Sequence, residues 1–119
     1  MTNVLAILIA TSGFSAAVET SNGFVERSFE NTAAGAEKFW EFAEPLIRAE
    51  GKKVKVCTVT LPDDGGAIMN WLLEEDFGPA SISRHAFREF SSKHSEPSES
   101  AAVAAKACLA IFPFIRRAQ

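Results

Sequence analysis

An unbroken apolar run near the start of the chain is the strongest hydrophobic pattern in the sequence. Residues 4–10 read Val-Leu-Ala-Ile-Leu-Ile-Ala, without the polar alternation of a strand that has one face in water. The run therefore predicts a central strand that is covered on both faces. Two more strands are predicted over residues 14–20 and 24–30, and Asn22-Gly23 between them is typical of a tight hairpin. These three strands predict an antiparallel meander.

Helical spacing of apolar residues begins directly after the meander. Asn31 or Thr32 is a suitable N-cap and Gly51 a suitable C-terminal glycine, so a helix is predicted between them. Pro45 lies inside this segment and predicts a kink or an early break. Residues 52–61 then alternate and carry many β-branched side chains, which predicts a strand.

The second half of the chain continues to alternate between helix and strand. A short helix is predicted over residues 67–77, a fifth strand over 80–84 and a final helix from Glu99 to about Phe112, whereas residues 85–90 are ambiguous. A β-meander followed by alternating helix and strand predicts an α/β fold with a mixed β-sheet flanked by helices. This order of elements is the one found in ribonuclease H-like folds.

The composition is that of a globular domain, with 47% hydrophobic and 23% charged residues. With 119 residues, the chain is expected to form a single domain over residues 1–119. The net charge of −3 gives no global basic field that would attract nucleic acid. No apolar run approaches the ~20 residues that span a bilayer, and no Lys or Arg precedes the first run as in a signal peptide. We therefore expect a cytoplasmic protein without membrane contact.

Two cysteines are the whole thiol inventory of the chain. Cys57 falls in a predicted strand and Cys108 in a predicted helix, both among apolar neighbours. Buried, reduced thiols are the expected state, and a disulfide stays open because the sequence does not place the two Cα atoms. The only histidines, His85 and His94, do not create a metal-ligand spacing such as C-x-x-C or H-x-x-x-H.

Three short segments carry a resemblance to a known family. Residues 29–35 read Phe-Glu-Asn-Thr-Ala-Ala-Gly, similar to an F-x-N-T-x-x-G entry into a first helix. Residues 61–66, followed by Trp71, Leu72 and Gly78, are similar to a strand, an acidic-glycine turn and a helix. Residues 96–101 are similar to an acidic pair at i, i+3 that precedes an Ala-rich helix. Together the segments resemble the N-terminal catalytic domain of DEDD-type insertion-sequence transposases, which are related to Holliday-junction resolvases.

The resemblance implies chemistry that requires clustered carboxylates. Such nucleases hold two divalent cations about 4 Å apart around the scissile phosphate, and hard cations take oxygen ligands. The family places an aspartate on the first strand, whereas the apolar run here ends in Ala10, Thr11 and Ser12. Loss of this central ligand predicts a degenerate, catalytically inactive domain without a cofactor.

A metal-dependent nuclease or recombinase, with Mg or Mn, remains the alternative. Asp63 or Asp64 would then supply the second acid, and Glu96 and Glu99 the last pair. The ordinary interpretation is a polar turn for the two aspartates and first-turn helix acids for the two glutamates. Whether Glu19 or Glu26, both on neighbouring predicted strands, occupies the vacant metal position is left open.

Two surfaces are candidates for binding. The apolar end of the last helix could leave a patch for a protein partner or a second copy, with core packing as the other interpretation. A locally basic stretch could instead contact a nucleic-acid backbone. The leading hypothesis is an inactive domain that acts through protein binding or self-association and is linked, through the resemblance alone, to a mobile genetic element. The candidate partner-binding residues are Leu109, Phe112, Phe114 and Ile115, and the candidate nucleic-acid-binding residues are Arg84, Arg88 and Lys93.

Overall fold

Five strands form one mixed sheet, with helices on both of its faces. The computed structural model describes residues 2–10, 12–60, 65–97 and 100–113. In chain order the elements are β1 (Thr2–Ile9), β2 (Gly13–Thr20), β3 (Gly23–Glu30), α1 (Ala33–Glu50), β4 (Lys53–Thr60), α2 (Gly66–Glu74), β5 (Ala80–Ile82), α3 (Arg84–Lys93) and α4 (Ala101–Ile111).

The strand order is β3-β2-β1-β4-β5. β1, β2 and β3 form an antiparallel meander, and β4 and β5 continue the sheet parallel to β1. This is the predicted α/β architecture with a ribonuclease H-like mixed sheet, so the fold prediction is confirmed.

β1 is the centre of the sheet, and all eight of its residues are buried. Because side chains alternate along a strand, β1 supplies both cores. Leu5, Ile7 and Ile9 join one core with residues of α1 and α2, whereas Val4, Ala6 and Leu8 join the other with residues of α3 and α4. The apolar run therefore predicted the position of this strand correctly.

The ambiguous segment after β5 is helical. Ser83 caps α3, since its hydroxyl oxygen accepts a hydrogen bond of 3.0 Å from the backbone N–H of Ala86. Phe87 and Ser91, four residues apart, form the buried side of this helix. The fifth strand accordingly ends at Ile82 and not at residue 84.

α1 passes through Pro45 without ending there, so the predicted early break is wrong. Proline removes one backbone hydrogen bond, but both ends of α1 are capped. The Thr32 hydroxyl accepts from the N–H of Gly35 at 3.0 Å, and the N–H of Gly51 donates to the carbonyl of Arg48 at 3.2 Å. Gly51 has a φ of 63°, which a glycine adopts without strain.

No helix within the described ranges combines the length and the apolar composition needed to cross a membrane.

Asn31 joins three elements through one side-chain amide. Its Nδ2 donates to the carbonyl oxygens of Ala10 at 3.3 Å and Gly65 at 3.1 Å. Its Oδ1 accepts from the backbone N–H of Ile68 at 3.0 Å. The end of β1, the entry to α1 and the start of α2 are thereby held together.

Gly35 has a steric role at the entry to α1, since a Cβ at this position would overlap the carbonyl oxygen of Glu30.

Cys57 and Cys108 form a disulfide, so the expectation of reduced thiols is wrong. The alternation along β4 directs Cys57 to the same face as Val59, and Cys108 of α4 packs in the same core. Their Cα atoms lie 6.5 Å apart, within the range that a disulfide spans. The bond links α4 to the sheet across 51 residues of sequence and is fully enclosed in the core.

We expect Asn31→Ala to lower the free energy of unfolding by about 2–3 kcal/mol, because two carbonyls and one N–H lose their partner in a partly buried site. Asn22→Ala in the exposed hairpin turn is the matched control, and we expect a much smaller loss. Urea unfolding followed by circular dichroism measures both variants. Equal losses would contradict the role given to the Asn31 amide.

Candidate functional site

The ends of β1 and β4 lie where the resemblance implies a metal site. Leu8 pairs in register with Val59, and both side chains are buried in the core that contains α4. An open cavity of about 310 Å³ lies at this edge, and Leu8, Ala10 and Phe29 are among the residues that line it. The described lining residues also include serines, but none of them carries a carboxylate. The described end of β1 therefore presents apolar side chains where a nuclease needs oxygen ligands.

Of the four predicted metal ligands, the structure describes Glu96 alone. Asp63, Asp64 and Glu99 lie outside the described residues. The Glu96 carboxylate forms an ion pair with the Lys106 ammonium at 2.9 Å. Over residues 2–10, 12–60, 65–97 and 100–113, no three His, Cys, Asp or Glu residues are grouped as a metal ion would require.

Neither Glu19 nor Glu26 reaches the carboxyl end of β1. The Glu19 carboxylate accepts a hydrogen bond of 2.9 Å from the backbone N–H of Val4, at the opposite end of that strand. The Glu26 carboxylate accepts from the Ser100 hydroxyl at 3.0 Å and from the Ala102 N–H at 2.9 Å. Glu26 therefore binds the N-terminal turn of α4 and ties β3 to that helix.

The predicted nucleic-acid-binding residues all lie exposed on α3. Arg84 and Arg88 are four residues apart and share one side of the helix. Lys93 is turned from Arg88 by about 140° at the helical repeat of ~3.6 residues per turn. The three cations therefore do not form one stripe along α3.

The predicted partner-binding end of α4 is only partly available. Leu109 and Phe112 are partly buried against the core, whereas Phe114 and Ile115 lie outside the described residues. Ile111 is 41% exposed and borders an open cavity of about 340 Å³ between α3 and α4. Phe90 lies on the α3 side of this cavity.

A groove between α1 and α2 has a composition that differs from these surfaces. It has a volume of about 320 Å³, and its described lining consists of two tryptophans and three glutamates, Trp40, Trp71, Glu37, Glu41 and Glu75. The tryptophans are partly buried and the glutamates are exposed. We call this surface the α1–α2 groove.

The helical repeat explains why these indoles remain at the surface. α1 buries Ala36, Phe39 and Ala43 against the sheet, and Trp40 follows Phe39 by one residue, about 100° around the helix. α2 buries Ile68 and Leu72, and Trp71 precedes Leu72 in the same way. Both indoles therefore lie on the flanks where the two helices face each other.

The two indoles support each other through aromatic contacts. The ring centroids of Trp40 and Trp71 are 5.6 Å apart with a tilt of 48°. Phe77, which follows α2, packs against both rings at 5.5 and 5.7 Å. Phe39 anchors Trp71 from the core side in an edge-to-face contact at 5.8 Å. These distances are typical of favourable aromatic pairs, so the floor of the groove is well ordered by packing.

The sequence pattern predicted both helices but did not identify the groove between them. The available signal was the spacing on each helix: glutamate three residues before and one after Trp40, and glutamate four residues after Trp71. The proximity of the two helices, however, depends on the crossover connections on either side of β4.

Comparison with known proteins does not add an assignment. No protein-family model matches the sequence, and a search of curated proteins found no match either.

We expect the α1–α2 groove to have a negative potential, which collisional quenching of tryptophan emission measures. Trp40 and Trp71 are the only tryptophans of the chain, so the emission reports on this groove alone. After each quenching constant is divided by that of the same ion with free N-acetyltryptophanamide, caesium should be the more effective quencher at low ionic strength, because three carboxylates border the indoles. Glu37→Gln/Glu75→Gln should reduce this preference. A normalised quenching constant that is larger for iodide than for caesium in the unmodified protein would contradict the negative potential.

Proposed function

We propose that this protein is a binding domain built on a ribonuclease H-like sheet, which acts by contacting another protein and not by metal-dependent cleavage. The observation that carries the proposal is the α1–α2 groove, which keeps Trp40 and Trp71 at the surface. Tryptophan is enriched in protein interfaces and among the residues that dominate binding energy. A groove with two preorganised indoles is suited to such a contact.

The residues at the carboxyl end of β1 support the non-catalytic part of the proposal. A two-metal reaction needs several carboxylates around the scissile phosphate. Leu8 and Val59, adjacent across β1 and β4, place buried apolar side chains one residue before the ends of these strands. A cation placed against them would gain no oxygen ligand from either side chain.

The end of α4 is a less favourable partner site than the groove. Leu109 and Phe112, the two predicted residues that are described there, already pack against the core. Their burial stabilises the domain itself and leaves less apolar area for a partner. A link to mobile genetic elements stays a prediction from the resemblance.

The cytoplasmic location also stays a prediction. The Cys57–Cys108 disulfide weighs against it, because structural disulfides persist mainly in oxidising compartments.

Affinity capture with matched surface variants tests the proposed binding. We expect Trp40→Leu to lose partners that the unmodified protein and Ile111→Gln retain, because only the first variant alters the groove. Thermal unfolding verifies that each variant is folded. If Ile111→Gln loses the partners and Trp40→Leu keeps them, the α3–α4 surface is the partner site. Sedimentation of the protein alone shows whether the partner is a second copy.

Isothermal titration of Mn²⁺ tests the absence of metal-dependent chemistry. We expect no heat of binding at millimolar metal and no cleavage of branched or single-stranded DNA, because the first-strand ligand is missing. The Asp63→Asn/Asp64→Asn variant is the control, because it removes the aspartates that the nuclease alternative assigns to the metal site. Micromolar binding that this variant loses would support the nuclease alternative and contradict the proposal.

A further inference from the structure

We infer that the α1–α2 groove binds a cationic side chain, a lysine or arginine presented by a segment of the partner protein. The inference rests on the proposed function, because it names the chemistry of the partner at that same surface. It depends on two independent properties of the groove: the charges along its rim and the indoles on its floor.

The rim carries negative charge from both helices. Glu37 and Glu41 belong to α1, and Glu75 follows the last turn of α2. Within the described ranges, none of these three carboxylates forms an ion pair or a side-chain hydrogen bond. No described lysine or arginine lines the groove. The neighbouring Lys38 lines a different cavity, next to Glu30.

Two other glutamates of the same chain have cationic partners. The Glu44 carboxylate contacts the Arg48 guanidinium at 2.6 Å, and the Glu96 carboxylate contacts the Lys106 ammonium at 2.9 Å. The three rim carboxylates of the groove are therefore a local excess of negative charge. A ligand that supplies positive charge would reduce their mutual repulsion, and this favours a cationic ligand over a neutral one.

The floor of the groove selects the type of cation. Indole faces attract lysine ammonium and arginine guanidinium groups through the ring quadrupole, and tryptophan does so most strongly among aromatic residues. Small hard cations prefer shells of oxygen ligands, which the indoles do not provide. A cation–π contact is formed elsewhere in the described part of the chain, where the guanidinium carbon of Arg27 lies 5.0 Å from the centroid of the Phe42 ring. An organic cation therefore matches both the floor and the rim.

Intrinsic fluorescence gives a direct test, because the chain has two tryptophans, both in the groove, and no tyrosine. The probe is a short peptide of alternating serine and lysine, compared with serine–glutamine and serine–glutamate peptides of equal length. We expect a saturable change in emission with the lysine peptide only. The change should weaken as salt is added, since the attraction is largely electrostatic.

Two double variants with the same change in net charge separate the groove from the overall field. Glu37→Gln/Glu75→Gln removes one carboxylate from each wall of the groove, and we expect it to weaken lysine-peptide binding about fivefold. Glu89→Gln/Glu96→Gln alters exposed or half-exposed acids that do not line it and should leave binding nearly unchanged. Equal weakening in both variants would assign the effect to net charge and overturn the inference.

The remaining outcomes distinguish this inference from the proposed function. Equal binding of the glutamine peptide would show a groove that binds partners without selecting cations, which overturns the inference and leaves the proposed function standing. No response to any peptide would also overturn the inference. The comparison of affinity capture by the unmodified protein and by the Trp40→Leu variant would still decide the proposed function. An emission change that depends on protein concentration without peptide would assign the groove to a second copy and overturn the cationic partner.

Discussion

The burial of β1 on both faces is the constraint on which the rest of the structure depends. A strand whose eight residues are all buried needs a neighbour along each edge and a helical layer over each face. β2 and β4 supply the edges, one antiparallel and one parallel. α1 and α2 cover one face, and α3 and α4 cover the other. The need for two helical layers and the presence of two separate cores therefore follow from this one strand.

The same apolar character governs the chemistry of the sheet edge. In a nuclease of this architecture, the carboxyl ends of the central strands present acids to metal ions. Here Leu8 and Val59 extend the core to this edge, and their burial contributes to stability. The Asn31 amide at this edge also serves the fold, because it joins three elements. The described residues at this edge therefore stabilise the fold.

The surface of the helical layer formed by α1 and α2 carries the candidate binding groove. α1 and α2 bury narrow stripes of residues against the sheet, which leaves Trp40 and Trp71 on their flanks. The indoles pack on each other and on Phe77, so they are held in place without being covered. Three carboxylates border them, and none of the three has an ion-pair partner among the described residues. This combination of a rigid aromatic floor and an acidic rim links the packing of the domain to its proposed role in binding.

The sequence by itself determined the elements whose signal is local. The apolar run defined β1, the alternation of residues 52–61 defined β4, and the residues Phe29 to Gly35 marked the entry to α1. Local patterns did not resolve α3, because its buried side consists of little more than Phe87 and Ser91.

Only the tertiary structure decided which distant residues meet. Cys57 and Cys108 are 51 residues apart, and their pairing depends on how α4 lies over β4. Trp40 and Trp71 become one groove only because the crossovers before and after β4 place α1 and α2 side by side on the same face of the sheet. The periodicity of apolar residues along the sequence predicts which side of an element is buried, whereas contacts between elements depend on the three-dimensional path of the chain.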